Sequence, residues 1–216
     1  MCRLVSAARI VSGPSWSIVD QCWVVSRMIC LLGASNPPRS LASHSVAKHG
    51  LEPIIDSRSR ILILGTLPGD ESLRLKQYYA HLGNQFWKIL AGVYGVDIAA
   101  DYWARISFLL DKRLALWDVL CSARRHGSAD SDISGARPND FQALLSAAPH
   151  LKAIGFNGRA AQRLFRKHVV RRGMIVADRY RFGVLPSSSS MPGRHVLPLD
   201  QKIARWRTFL LDHGST

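Results

Sequence analysis

Five short stretches of this chain set polar side chains at the ends of apolar runs, where backbone and side chain can both reach a ligand: Gly65–Gly69, Tyr78–Asn84, Trp117–Asp118, Phe156–Gly158 and Leu185–Arg194, four of them with glycine or proline. The amide of Asn84 can accept from water and donate to a developing charge, although it is a poor base. Standing just ahead of an apolar helical stripe, it is also a good helix cap. Asp118 closes the apolar run RLALW, where a carboxylate serves a ligand, a cap or an ion pair with one of many arginines. Asn157 lies between Phe156 and Gly158, a place that also suits a turn residue tolerating positive φ. Ser187, Ser188 and Ser189 offer hydroxyl donors. Several common chemistries lack their residues. There is no G-x-x-x-x-G-K-[ST] or G-x-G-x-x-G for phosphates or dinucleotides, no G-x-S-x-G nucleophile elbow and no H-E-x-x-H. The histidines are scattered, so no metal site is indicated.

These loops need elements to hold them. Ile61–Leu64 is apolar and reads as a buried parallel strand ending in Gly65-Thr66-Leu67-Pro68-Gly69. Asp70–Lys76 suits a helical turn. Phe86, Ile89, Leu90 and Val93 share one helical face behind Asn84. Asp101–Lys112 reads as a helix with Trp103, Ile106, Leu109 and Leu110 inward, and Arg113–Val119 as a strand. The polar stretch Cys121–Arg137 reads as a surface loop. Asn139 caps a helix through Phe141, Leu144 and Leu145. Leu151–Phe156 is a strand, Arg159–His168 a basic helix, Met174–Ala177 a further strand, and Gln201–Leu211 a closing helix. Strand–turn–helix repeats of this kind predict an α/β fold with a mainly parallel sheet. Ligands then bind at the carboxyl edge of that sheet.

The chain has 216 residues, enough for one domain with a full core. Residues 1–49 are rich in serine and arginine and poor in acids. They read as a poorly structured leader or an over-extended start, ahead of a domain over 50–216. The apolar run within Val19–Leu32 is interrupted by Asp20, Gln21, Ser26 and Arg27 and is too short to span a bilayer. A net charge of +14 points to a polyanionic partner, nucleic acid ahead of a membrane surface. Four cysteines without a C-x-x-C pair argue against zinc ribbons and thioredoxin-like redox sites, and suggest a reduced, intracellular protein.

Taken together and in order, LILGTLPG, YYAHLGNQFW, ALWDVL, FNG and LPSSSS resemble the hypoxanthine-DNA glycosylases of the uracil-DNA glycosylase superfamily. The resemblance runs from about Gly50 to Leu211. It implies a single three-layer α/β/α domain that acts on double-stranded DNA as a monomer, without metal or cofactor. The implied reaction is hydrolytic removal of a deaminated base, hypoxanthine first, leaving an abasic site. Uracil as the main substrate and a basic nucleic-acid-binding module without catalysis are the alternatives.

The resemblance also assigns residues. A base stacked in a duplex is out of reach and must be flipped out. Water must then be held against the sugar while the departing base is stabilised. Related branches hold that water with Asp or Asn in the first glycine turn. Leu67 stands there in this chain, and Asn84 matches the asparagine that takes the role. Gly65, Thr66, Leu67, Pro68 and Gly69, with Tyr79, Phe86, Asp118 and Asn157, form the expected base pocket. Asp118 would accept an N–H of the base, and Tyr79 would stack on it. Ser187, Ser188, Ser189 and Arg194 are the expected DNA contacts, and Met191 the wedge filling the gap left by the flipped base. Better-known branches carry His or Asn where this chain has Leu185, and the family has proline where this chain has Leu82. Arg159, Arg163, Arg166, Lys167, Arg171 and Arg172 are phosphate contacts if they share the face of these loops.

Overall fold

The structure is a computed structural model and describes residues 47–125, 130, 133–191 and 196–214. Four parallel strands form the main sheet. They are β2 (Ile61–Gly65), β3 (Leu114–Asp118), β6 (Ala153–Asn157) and β7 (Arg181–Leu185), in the order β3-β2-β6-β7. Every residue of β2 is buried, as expected of a β-branched and leucine-rich strand with neighbours on both sides. A second, antiparallel sheet joins β1 (Lys48–His49), β4 (Leu120–Arg124) and β5 (Ser134–Pro138) in the order β1-β4-β5.

Six α-helices accompany these strands among the described residues: α1 (Asp70–Leu75), α2 (Phe86–Tyr94), α3 (Tyr102–Asp111), α4 (Phe141–Ala147), α5 (Arg159–His168) and α6 (Leu199–Gly214). On one face of the main sheet α6 packs along α2, with Phe86 edge-on to Trp206. Gly155 and Gly183 are register partners on β6 and β7. A Cβ at either would run into the ring of Phe209, so the two glycines let α6 lie close on the sheet. On the other face Phe156 and Phe182 pack against Phe165 of α5, which meets Phe141 of α4. The result is the expected three-layer α/β/α arrangement.

The chain runs from β2 outward to β3, then returns to the other side of β2 with β6 and β7. This reversal opens a crevice above the carboxyl ends of β2, β3 and β6, where an open parallel sheet binds its ligand.

Several expectations are corrected. Cys121–Arg137 is not a surface loop throughout, because β4 and β5 overlap its two ends and pair with two register shifts. Its short strands lack apolar alternation, so sheet context rather than pattern decides them. Met174–Ala177 is not a strand; a 3₁₀ turn spans Ala177–Arg179. Trp103 is 60% exposed, and Tyr102 faces inward instead, its hydroxyl accepting from Tyr78 N at 2.9 Å. Asp140, not Asn139, caps α4 by accepting from Ala143 N at 3.0 Å. Lys48–His49, assigned to the leader, pairs with β4. Residues 1–46 lie outside the described residues.

Candidate active site

Register places Gly65 of β2 directly beside Asp118 of β3 at the carboxyl edge. A Cβ on Gly65 would overlap Asp118 Oδ1 and stand 3.2 Å from the Tyr79 hydroxyl. The glycine is required by space: its missing side chain lets a carboxyl and a phenol converge above the turn.

The carbonyls of that turn are all engaged. Gly65 O accepts from Val119 N at 3.0 Å and Thr66 O from Leu120 N at 3.1 Å. Leu67 O accepts from Arg125 Nη1 at 3.1 Å, and Pro68 O accepts from Nη2 of the same guanidinium. Gly69 O accepts from Leu73 N at 3.0 Å as α1 begins. The N–H groups of Thr66, Leu67 and Gly69 find no acceptor among the described residues. The turn therefore presents donors.

Asp118 is 4% exposed. Asn139 Nδ2 donates to its backbone carbonyl at 2.8 Å and so fixes the end of β3. Its Oδ2 is buried without a hydrogen-bond partner among the described residues. Burial pushes the carboxyl up to about 7, with the Arg125 guanidinium pulling the other way and Asp130 adding to the rise. Asp130 also accepts from Thr66 Oγ1 at 2.7 Å and lies 3.6 Å from Arg125 Nη1.

Tyr79 forms the wall. Its backbone φ is +53°, and its ring stacks on Phe86 with centroids 4.0 Å apart. Phe86 is fully buried behind it and does not line the cleft. Asn157 Nδ2 donates to the Tyr79 hydroxyl and to Ser188 Oγ, both at 2.8 Å, while its Oδ1 accepts from Ser188 N at 2.7 Å. Asn157 thus joins the wall to the serine loop and has little amide left for a base edge. Burial and the nearby Asp118 hold the Tyr79 phenol well above its ordinary range, so it keeps its proton.

The serine loop is clamped to the start of α2. Gln85 N donates to Ser188 O at 2.9 Å. Lys202 Nζ donates to Gln85 Oε1 at 2.8 Å and to Ser189 O at 2.9 Å. Asn84 stands just before this clamp. Its Oδ1 accepts from Phe86 N at 2.9 Å, an Asx turn that holds the first turn of α2, while Gln85 occupies the cap position. Asn84 Nδ2 has no partner among the described residues.

These pieces enclose one cleft of about 510 Å³, within the usual range for ligand sites. Gly65, Thr66, Leu67, Pro68, Gly69, Tyr79, Asn84, Asp118, Asn157, Ser187, Ser188, Ser189 and Met191 all line it. Met191 stands at its edge, 67% exposed. Arg194 lies outside the described residues. Leu185 is 4% exposed and its side chain turns toward Gly155 in the core. On α5, Arg159 starts at the carboxyl edge. The helix then runs away from it for roughly 15 Å, so Arg166, Lys167, Arg171 and Arg172 lie toward the opposite edge.

Arg125, Asp130, Gln85 and Lys202 were not singled out from sequence. Arg125 sits in an apparently polar stretch and gives no signal. Lys202 does: it shares the buried stripe of α6 with Trp206 and Leu210, where an unpaired lysine is out of place. Among the described residues no group of three or more His, Cys, Asp or Glu side chains is placed to hold a metal ion. No helix there is long and apolar enough to cross a membrane.

Comparison with known proteins gives concordant matches. The sequence model of the Uracil DNA glycosylase superfamily matches residues 52–207. A Methanosarcina acetivorans protein named hypoxanthine DNA glycosylase is 40% identical over 143 residues, which is 66% of this chain and 86% of that protein. A protein of the same name from Methanosarcina barkeri is 42% identical over 113 residues, covering 52% of this chain and 72% of its own. The solution NMR structure of a candidate uracil DNA glycosylase from Methanosarcina acetivorans superposes with a TM-score of 0.64. It is 36% identical and covers 76% of this chain and 97% of its own.

Proposed function

The chain belongs to the uracil DNA glycosylase superfamily, and from that premise we propose that it is a monofunctional DNA glycosylase that excises hypoxanthine from duplex DNA. The observation that carries this reading is the convergence of Asn84, Asp118, Tyr79 and the serine loop on one cleft above the Gly65–Gly69 turn. The substrate follows the names of the two relatives, each matched over more than two thirds of its length.

The lesion nucleotide rotates out of the duplex, at a cost of about a few kcal/mol. Met191 fills the vacated stack, and the serine loop takes the flanking phosphates through hydroxyl and backbone donors. The base enters the cleft against Tyr79, whose position Phe86 supports from behind. Asn84 holds water against the anomeric carbon of the sugar. One lone pair of its amide oxygen is spent on Phe86 N, leaving the other and the free Nδ2 donors for the water and the developing charge. As the glycosidic bond lengthens, negative charge gathers on the base over the N–H groups of Thr66, Leu67 and Gly69. These donors compensate for Leu185, which is buried and offers nothing to the leaving group.

Among the described residues no lysine lines the cleft, so the sugar is released to water and the product is an intact strand with an abasic site. We read the protein as a monomer without cofactor or metal, working on DNA inside the cell. A duplex with one deoxyinosine, incubated with excess protein and then cleaved with alkali, tests the reading. The expected product is an alkali-labile site, with a deoxyuridine duplex cut more slowly. An intact deoxyinosine strand after prolonged incubation contradicts it.

A further inference from the structure

Asp118 is placed by groups other than its own carboxyl. Asn139 holds its backbone carbonyl, and register with Gly65 sets its direction. The carboxyl itself receives no hydrogen bond from the described residues, and Oδ2 is sealed from solvent. A carboxylate in such a setting lacks the donors that normally accompany a buried charge. The cleft has donors, but none of them is spent on this carboxyl. The Tyr79 hydroxyl accepts from Asn157 and has its own proton free, and the turn shows N–H groups because its carbonyls are all engaged.

We infer that Asp118 enters the reaction as the neutral acid, donating to the N7/O6 edge of the flipped purine and passing its proton to N7 as the N9–C1′ bond breaks. This rests on the glycosylase reading above and assigns the leaving-group chemistry of that site. The electron pair of the N9–C1′ bond goes to the base, which leaves as a neutral purine carrying the Asp118 proton. Water adds its oxygen to C1′ and loses a proton to solvent, and Asp118 reprotonates from solvent to restore the site. The charged and titratable groups near the carboxyl among the described residues are Arg125, which follows β4, Asp130, and the phenols of Tyr78 and Tyr79. Arg125 steadies the carboxylate formed after transfer, while burial, with Asp130, keeps the proton on the resting group. A floor of donors also selects the base. Hypoxanthine offers O6 and N7 as acceptors, whereas adenine turns its exocyclic amino donor toward other donors.

The test is single-turnover excision of deoxyinosine from about pH 5 to about pH 9 by wild type and Asp118→Asn. Wild type is expected to hold a level rate at acid pH and to lose about tenfold per unit once the carboxyl ionises. Asp118→Asn can donate but cannot transfer a proton. It is expected to be at least ~100-fold slower at acid pH, with a level profile. A 7-deaza-deoxyinosine substrate, lacking the N7 acceptor, should slow wild type by at least ~10-fold and leave Asp118→Asn no slower than before. That comparison holds wild-type protein as its reference and does not depend on the variant folding perfectly. A wild-type rate that stays level or rises across the range overturns the proposal, as does a variant whose profile parallels wild type. Wild-type protein that leaves deoxyinosine intact at every pH fails the glycosylase reading first, and the acid role falls with it.

Discussion

The Asn84 side chain both closes the first turn of α2 and faces the cleft, so the helix-cap and catalytic readings of the sequence are compatible. Its two roles differ in size. Losing an Asx or cap hydrogen bond costs about 1 kcal/mol of stability, whereas losing a water-positioning amide costs about 2.7 kcal/mol of barrier, or ~100-fold in rate. Gly65→Ala is expected to leave the strand formed but to drive Asp118 off its position, with excision slowed at least ~100-fold and DNA binding retained in a mobility-shift assay. The buried carboxyl of Asp118 gives a stability prediction of definite sign. It ionises near 3.8 in the unfolded chain but is pushed up to about 7 when folded. The folded state therefore binds the extra proton between those values, and stability falls as pH rises through that window. Asp118→Asn should be more stable than wild type at alkaline pH, by about 4 kcal/mol at 1.36 kcal/mol per unit, with the difference closing toward acid pH. At this scale the sequence was informative where a residue type is unusual for its place. Asn84 and Asp118 stand at element ends and could be found. Arg125 could not, because its partners are the backbone carbonyls of a turn distant in the chain.

Elements of regular pattern were legible and those made by pairing were not. The α5 span Arg159–His168 and the β2 run Ile61–Leu64 follow directly from periodicity and apolar density. β4 and β5 were hidden because an antiparallel pair with register shifts needs its partner strand more than any internal pattern. The Ser187–Ser190 loop is held by elements that sequence alone does not bring together: α6 through Lys202, β6 through Asn157 and the start of α2 through Gln85. Lys202 is 1% exposed, and both of its acceptors are neutral oxygens. Lys202→Met fills similar space but leaves those two oxygens without donors, which should cost roughly 2–4 kcal/mol in chemical denaturation. The same change should weaken binding to lesion-containing duplex by about tenfold, equivalent to 1.4 kcal/mol. An unaltered affinity would place the DNA grip elsewhere than on this loop.

At the scale of the molecule, charge and fold act together. A net charge of +14 attracts any duplex and supplies encounter without specificity. The topological reversal at β2 then gathers residues far apart in sequence into one cleft. Binding to undamaged DNA should weaken steeply with salt, by about 0.9 in log–log slope for each phosphate neutralised. The central claim is that the cleft performs hydrolysis with Asn84 at its working point. Single-turnover excision of deoxyinosine by wild type and Asn84→Ala, both checked for intact folding by thermal melting, tests it most directly. The account predicts alkali-labile product from wild type and a rate at least ~100-fold lower from the variant. A folded Asn84→Ala protein that cuts at the wild-type rate would contradict it.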